Sequence, residues 1–271
     1  MSISVKTLAA AGAVVFPLLL SACDKPGNAA DHIKVGISAS IDQPIWAAVK
    51  KTAKEKYNLD VEVVTFTDYV QPNEALNNKD IDANVFQHGP YLDQQNKERG
   101  YKLVAVGKTF VYPIAGYSRK IKSIDALPDG AQIAIPNDPT NLGRSLLLLQ
   151  KNGLISLKEG TGLRPTSLDI TANPKQLKIV EIEAAQLPRT LDDNKVDVAI
   201  INTNYSSQIG LSPHKDGLFV EDKDSPYVNL IVAREDNQSS DKVKNLVKAY
   251  QTDEVAAAAA QIFHGDAIKG W

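Results

Sequence analysis

From Ile33 onward, short apolar runs alternate with stretches of helical period, and at Ala131 that alternation starts a second time. Runs at 33–38, 60–66, 81–86 and 101–107 have the length and bounding polar residues of strands. Between them lie helical segments. One has Asp42 as a plausible N-cap and Ile45, Trp46, Val49 and Ala53 on one face; another is a short helix over 71–78, and a third ends at Gly100. The second set places strands at 131–136, 177–183 and 196–202, a helix within 137–153 and another at 186–194. A strand at 227–233 and two helices at 239–250 and 252–264 close the chain. Such alternation predicts an α/β protein with a mostly parallel sheet, and its restart predicts two lobes. Residues 32–112 plus 227–271 would form lobe 1 and residues 113–226 lobe 2. The chain would cross between them near 109–118 and again just before 227. A cleft between lobes is a preferred place for a ligand.

The chain does not begin with this pattern. A single lysine, Lys6, precedes an apolar run from Leu8 to Leu20, too short for a comfortable membrane span and suited to a signal-peptide core. Leu20-Ser21-Ala22 then leads into Cys23, the one cysteine of the protein. Small residues before a lone cysteine resemble the bacterial lipobox, so residues 1–22 read as a lipoprotein signal peptide and Cys23 as the acylated residue. Several acyl chains hold a protein on a membrane without a spanning helix. Residues 23–31, polar and rich in turn formers, read as a tether. A lone cysteine also excludes an internal disulfide.

With 30 basic and 32 acidic residues, the chain lacks the positive excess of a general nucleic-acid binder. A search for an enzyme finds no support. His32, His88, His214 and His264 have no metal-ligand spacing partners, and no nucleophile elbow or phosphate-binding glycine loop is present. The informative stretch is "NDPTNLGRSLLLLQKNG" at 137–153. Asp138 suits an N-cap and Pro139 the first helical position. Asn141, Arg144 and Ser145 then share one face of the first two turns. A helix start offers free N–H groups, and an arginine there can grip a carboxylate. Self-capping with a surface arginine explains the same residues equally well. Other polar or aromatic groups fall at strand ends: Tyr69, Phe86, His88, Tyr91, Tyr112, Asn202, Asn204 and Tyr205. In open α/β sheets ligands bind beyond those ends. Taken singly, each aromatic is better explained by core packing, and His88 by a satisfied structural histidine. Asn229, inside an apolar strand, needs a partner for its amide.

Together, "HIKVGI", "DANVFQHGPYL", "YKLVAVGKTFVYPIAGYS", "NDPTNLGRSLLLLQ", "SPYVNLIVAREDN" and the ending "KGW" resemble the methionine-binding lipoproteins of the MetQ/NlpA family over nearly the whole chain. The resemblance implies a two-lobed type II periplasmic-binding-protein fold that captures L-methionine and delivers it to the permease of an ABC importer. It assigns the ligand carboxylate to Arg144 with Asn141 nearby, polar ends of the amino acid to Asn202 and Asn229, and the side-chain pocket to Tyr69, Phe86, His88 and Tyr91. It implies no metal, no organic cofactor, no catalysis and a monomer. Asp24, directly after the acylated cysteine, resembles the signal that retains lipoproteins on the periplasmic face of the inner membrane. The rival readings are a paralogous lipoprotein with weaker or different amino-acid binding and a membrane-vesicle role, an enzyme on a similar fold, and an adhesin.

Overall fold

A computed structural model describes residues 31–39 and 42–271. The expected signal peptide, Cys23, Asp24 and the tether up to residue 30 lie outside the described residues. Asp31, the last residue of the expected tether, already belongs to the first strand.

In chain order the first half contains β1 (Asp31–Ser38), α1 (Gln43–Tyr57), β2 (Leu59–Phe66), α2 (Gln71–Asn77), β3 (Ala83–His88), α3 (Gly89–Arg99) and β4 (Leu103–Val111). The middle contains β5 (Ala115–Tyr117), β6 (Gln132–Pro136), α4 (Pro139–Lys151), β7 (Ser156–Leu157), β8 (Ile170–Ala172), β9 (Lys178–Ile182), α5 (Leu187–Thr190), β10 (Val198–Ile201), α6 (Thr203–Ser206), α7 (Pro213–Asp216) and β11 (Phe219–Val220). The chain closes with β12 (Val228–Arg234), α8 (Asp241–Tyr250), α9 (Asp253–Ile262) and β13 (Ile268–Lys269).

Local signals explain several boundaries. Proline enters α1, α3 and α4 in the first turn, where a missing N–H costs nothing. Gly100 ends α3 with φ at 70°, a conformation glycine adopts without strain. Asp138 caps α4, accepting from Asn141 N at 3.0 Å. Asp42 stands at the N-cap position of α1, but its side chain makes no cap bond and accepts instead from Trp46 Nε1 at 3.3 Å. The helix expected over 186–194 is a single turn, α5, because Asp192, Asp193 and Asn194 form turns rather than continue it.

The strands build two main sheets, in the orders β13-β4-β12-β3-β1-β2 and β11-β5-β10-β6-β9, with β7 and β8 a separate antiparallel pair. The expectation of a mostly parallel sheet needs correction: both sheets are mixed. In the first, β1 pairs in parallel with β2 and β3, but β12 runs antiparallel between β3 and β4. In the second, β6 pairs in parallel with β9 and β10, while β5 runs antiparallel to β10 and β11. The cause is the double crossing. The chain leaves the first sheet along β4 and returns along β12, and neighbouring exit and return strands must oppose each other.

Each sheet has its own core. Ile33, Val35, Ile45, Val49, Val243, Leu246 and Val255 bring together β1, α1, α8 and α9. The leucines of α4, Leu142, Leu146, Leu148 and Leu149, fill the core of the second sheet with Ile133, Ile135 and Ile200. Each fully buried leucine stabilises by about 1.5–3 kcal/mol through lost water contact. A Cβ on Gly143 would lie 2.6 Å from Leu163 O and 2.8 Å from Arg164 Cα, so only glycine lets α4 lie this close to residues 163–165. The leucine face thus fixes α4, and with it the polar residues of its first two turns.

Candidate functional site

The two sheets are joined by residues 112–114 and 221–227, and their facing edges are in contact. Tyr69 Oη donates to Asn204 Oδ1 at 2.5 Å, Tyr205 Oη to Thr67 O at 3.3 Å, and Gln208 Nε2 to Ala39 O at 2.8 Å. The lobes are therefore closed on one another. Between them lies a cleft of about 700 Å³, counted out to its open mouth. The eight side chains that the family resemblance assigns to the site line it, namely Tyr69, Phe86, His88, Tyr91, Asn141, Arg144, Asn202 and Asn229, as do Tyr112 and Asn204, whereas Ser145 and Tyr205 do not.

One wall is aromatic. The Tyr69 ring centroid lies 5.9 Å from that of Phe86, 6.1 Å from Tyr91 and 5.1 Å from Tyr205. Tyr91 Oη donates to Tyr69 O at 2.8 Å, so both ends of the Tyr69 residue are held, one from each lobe. Burial pushes the hydroxyls of Tyr69 and Tyr91 well above the ordinary tyrosine range, keeping this wall uncharged.

The opposite wall carries the polar groups. Arg144, 4% exposed, donates from Nε to Glu221 Oε1 at 2.9 Å, from Nη2 to Glu221 Oε2, and from Nη2 to Tyr112 O at 3.0 Å. Its guanidinium stacks 4.4 Å from the Tyr227 ring centroid. Nη1 has no hydrogen-bond partner among the described residues. With Nε and both Nη2 hydrogens engaged, the Nη1 hydrogens remain for a ligand carboxylate. Glu221 balances the arginine's charge, which suits a zwitterion better than a dicarboxylate.

His88 caps α3 by accepting from Tyr91 N at Nδ1, 3.2 Å, and its Nε2 lies 3.3 Å from Asn141 Oδ1. Burial, reinforced by the Arg144 charge, holds His88 down to about 3, so the ring is neutral at physiological pH. Asn229 Nδ2 donates to Phe86 O at 3.3 Å, at an irregularity in the β12–β3 register. This is the partner its place in an apolar strand demanded.

Asp42, read in the sequence only as a cap, also lines the cleft. Burial raises its carboxyl to about 6, against the opposing bond from Trp46, and its Oδ1 has no partner among the described residues. Glu221 was missed as well. It sits in a charged stretch that reads as a solvated loop, and no local pattern links it to an arginine 77 residues away. Among the described residues, no group of three or more His, Cys, Asp or Glu could hold a metal ion, and no helix is long and apolar enough to cross a membrane.

Two mixed α/β lobes closed on a cleft with a charge-balanced arginine, amide groups and an aromatic wall define a substrate-binding protein of the two-lobed periplasmic kind. The NlpA lipoprotein family matches residues 33–271. The D-methionine-binding lipoprotein MetQ of Salmonella typhimurium is 65% identical over 271 residues, the full length of both chains. A crystal structure of the methionine-binding protein MetQ superposes with a TM-score of 0.87 at 68% identity, covering 89% of this chain and 98% of the other. A nutrient-binding protein from Burkholderia cenocepacia, bound to methionine, gives 0.85 at 52% identity, covering 88% and 100%. The chain belongs to the NlpA lipoprotein family.

Proposed function

We propose that this protein is a membrane-anchored receptor that captures methionine in the inter-lobe cleft and delivers it to an ABC importer. The observation that carries the reading is one cleft holding an Arg144 Nη1 and a buried Asn202 Oδ1 that have no partner among the described residues, and an aromatic wall. The first suits a carboxylate, the second an ammonium group. The third suits a thioether, whose polarizable sulfur packs well at ring edges. Methionine carries all three groups. The names of the relatives at 65% and 68% identity support the same ligand.

In this reading Arg144 holds the carboxylate, Asn141, Asn202 and Asn229 bind the polar end, and Tyr69, Phe86, His88 and Tyr91 enclose the side chain. Lobe 1 comprises 32–112 plus 227–271 and lobe 2 113–226, hinged at the two crossings. The closed form, in which Tyr69 meets Asn204, is the one offered to the permease. Acylated Cys23 anchors the protein, a monomer, to the periplasmic face of the inner membrane, beside its importer. L-methionine is the enantiomer the sequence resemblance implies, while the relative at 65% identity is named for D-methionine.

The experiment is to unfold the purified full chain, identify any released small molecule by mass spectrometry, and titrate the refolded protein with L- and D-methionine calorimetrically. Released methionine and saturable binding are expected. A refolded protein that binds neither enantiomer would sink the reading.

A further inference from the structure

Asp138 does more than cap a helix. Its Oδ1 accepts from Asn141 N at 3.0 Å, and both carboxylate oxygens accept from Asn141 Nδ2, at 3.1 and 2.9 Å. An ionised carboxylate only accepts hydrogen bonds. It therefore dictates which way round the Asn141 amide stands: nitrogen toward Asp138, oxygen away. The freed Asn141 Oδ1 lies 2.9 Å from Asn202 Nδ2 and 3.3 Å from His88 Nε2. Both must then be donors.

The far end of the chain of bonds reaches the same answer independently. Tyr91 N, a backbone N–H that can only donate, points at His88 Nδ1. His88 must accept there, so as a neutral ring it carries its proton on Nε2 and donates to Asn141. Two fixed ends, one in each lobe, agree on the orientation of the amide between them.

The consequence falls on Asn202. With its nitrogen committed to Asn141, its oxygen is the remaining end. That Oδ1 is buried, on a residue 8% exposed that lines the cleft, and has no partner among the described residues. A buried acceptor without a donor is costly, and a ligand that supplies the donor removes the cost.

We infer that Asp138 is a positioning residue that acts through Asn141 to lock the Asn202 amide with its oxygen toward the ligand, making the site selective for the ammonium group of an α-amino acid. The inference rests on the methionine reading, in which Asn202 Oδ1 meets the amine, and adds to it the residue that sets that oxygen's direction. The His88–Asn141 bond crosses between the lobes, so closure completes the arrangement. No donor among the described residues bonds Asn202 Oδ1, and Arg144 spends its Nε and Nη2 on Glu221 and Tyr112.

The test compares two ligands on the full chain, solubilised in detergent and stripped of ligand: L-methionine and 4-(methylthio)butanoate, the same molecule without its amine. The unaltered protein should favour methionine at least a hundredfold. Asp138→Asn retains an oxygen for the helix cap but offers Asn141 an amide, so the amide orientation is no longer dictated. It should bind methionine at least tenfold more weakly while the analogue changes less than threefold. Asp138→Ser, which keeps a capping hydroxyl, should do the same, and Asn202→Ala should weaken methionine alone. Equal losses for both ligands would mean that Asp138 merely holds the helix, and would overturn the inference. So would unchanged selectivity in a folded variant. If the variants do not fold, equal affinity of the unaltered protein for the two ligands overturns it without them. A protein that binds neither ligand refutes the methionine reading instead.

Discussion

Arg144 and Glu221 meet side-on, Nε to Oε1 at 2.9 Å and Nη2 to Oε2, on segments 77 residues apart in the chain. The glutamate side chain is 13% exposed and the arginine side chain 3%. This pair, with the bond to Tyr112 O, holds the guanidinium so that Nη1 is its unengaged nitrogen. It makes the arginine part of the protein's own framework as well as of the site.

Arg144→Ala should therefore act twice. Affinity for methionine should fall by about 2–5 kcal/mol, because a buried ligand carboxylate loses its partner. Stability should fall too, by about 1–3 kcal/mol, because the half-buried Glu221 is left with Ile114 N as its partner in place of the guanidinium. Lysine should restore only part of the affinity, since it cannot form the fork. Glu221→Gln, which leaves the arginine in place, should cost less affinity than Arg144→Ala. Calorimetry on folded variants together with urea unfolding checks both effects, and wild-type affinity in folded Arg144→Ala would remove the residue from the site.

Asn229→Ala should remove the bond to Phe86 O and a polar contact to the ligand while the sheet still forms. We expect a loss of about 1–3 kcal/mol in binding and a native circular-dichroism spectrum. Binding that survives intact would make Asn229 a structural feature of the β12 irregularity.

The His88 ring gives a stability effect with a defined sign. Its folded value lies near 3, below the ordinary 6.5, so the unfolded chain takes up a proton first as the pH drops. Its contribution is present above pH 6.5 and is lost progressively from there toward pH 3, by about 2 kcal/mol between pH 6.5 and 5. Urea unfolding of the wild type and His88→Gln at both pH values isolates this slope. A ring proton shift for His88 that moves near pH 6.5 in the folded protein would contradict it.

Asp42 works in the opposite sense. Its carboxyl is raised from 3.8 to about 6, so the folded state holds the proton more tightly than the unfolded one. The benefit is full below pH 3.8 and is lost as the pH rises through 6. Asp42→Asn, which keeps an acceptor for Trp46, should stabilise the protein by about 1–3 kcal/mol at pH 7.5 and by nothing at pH 3.5. A thermal melt at the two pH values decides it, and a pH-independent change would show that the gain came from packing.

Anchoring is tested at the other end of the chain. Cys23→Ala should abolish labelling by palmitate, because only the thiol can accept the diacylglycerol. Asp24→Ser should shift the protein from the inner toward the outer membrane. Wild-type protein found mainly in the outer membrane would refute the retention signal.

The sequence alone determined whatever depends on neighbours along the chain. The strand–helix alternation, the Asp138 cap, the Gly100 stop and the leucine face of α4 are set by local period and backbone chemistry, and they stand where their residues predict, except that the 186–194 helix shrinks to one turn and the 101–107 strand runs Leu103–Val111. The polar face of α4 was legible for the same reason, and so were strand ends such as His88 and Asn202 that point at a cleft. Tertiary structure decided what depends on distant partners. The direction of β12 follows from its return beside β4, which no stretch of sequence encodes by itself. Residues 221 and 144 become a pair only when the second crossing brings them together. Asp42 loses much of its water, and with it its ordinary acidity, only once the chain folds and buries it at the cleft. The residues' chemistry is written in order along the chain, but charge balance, amide orientation and desolvation are properties of the space between segments, and they exist only after folding.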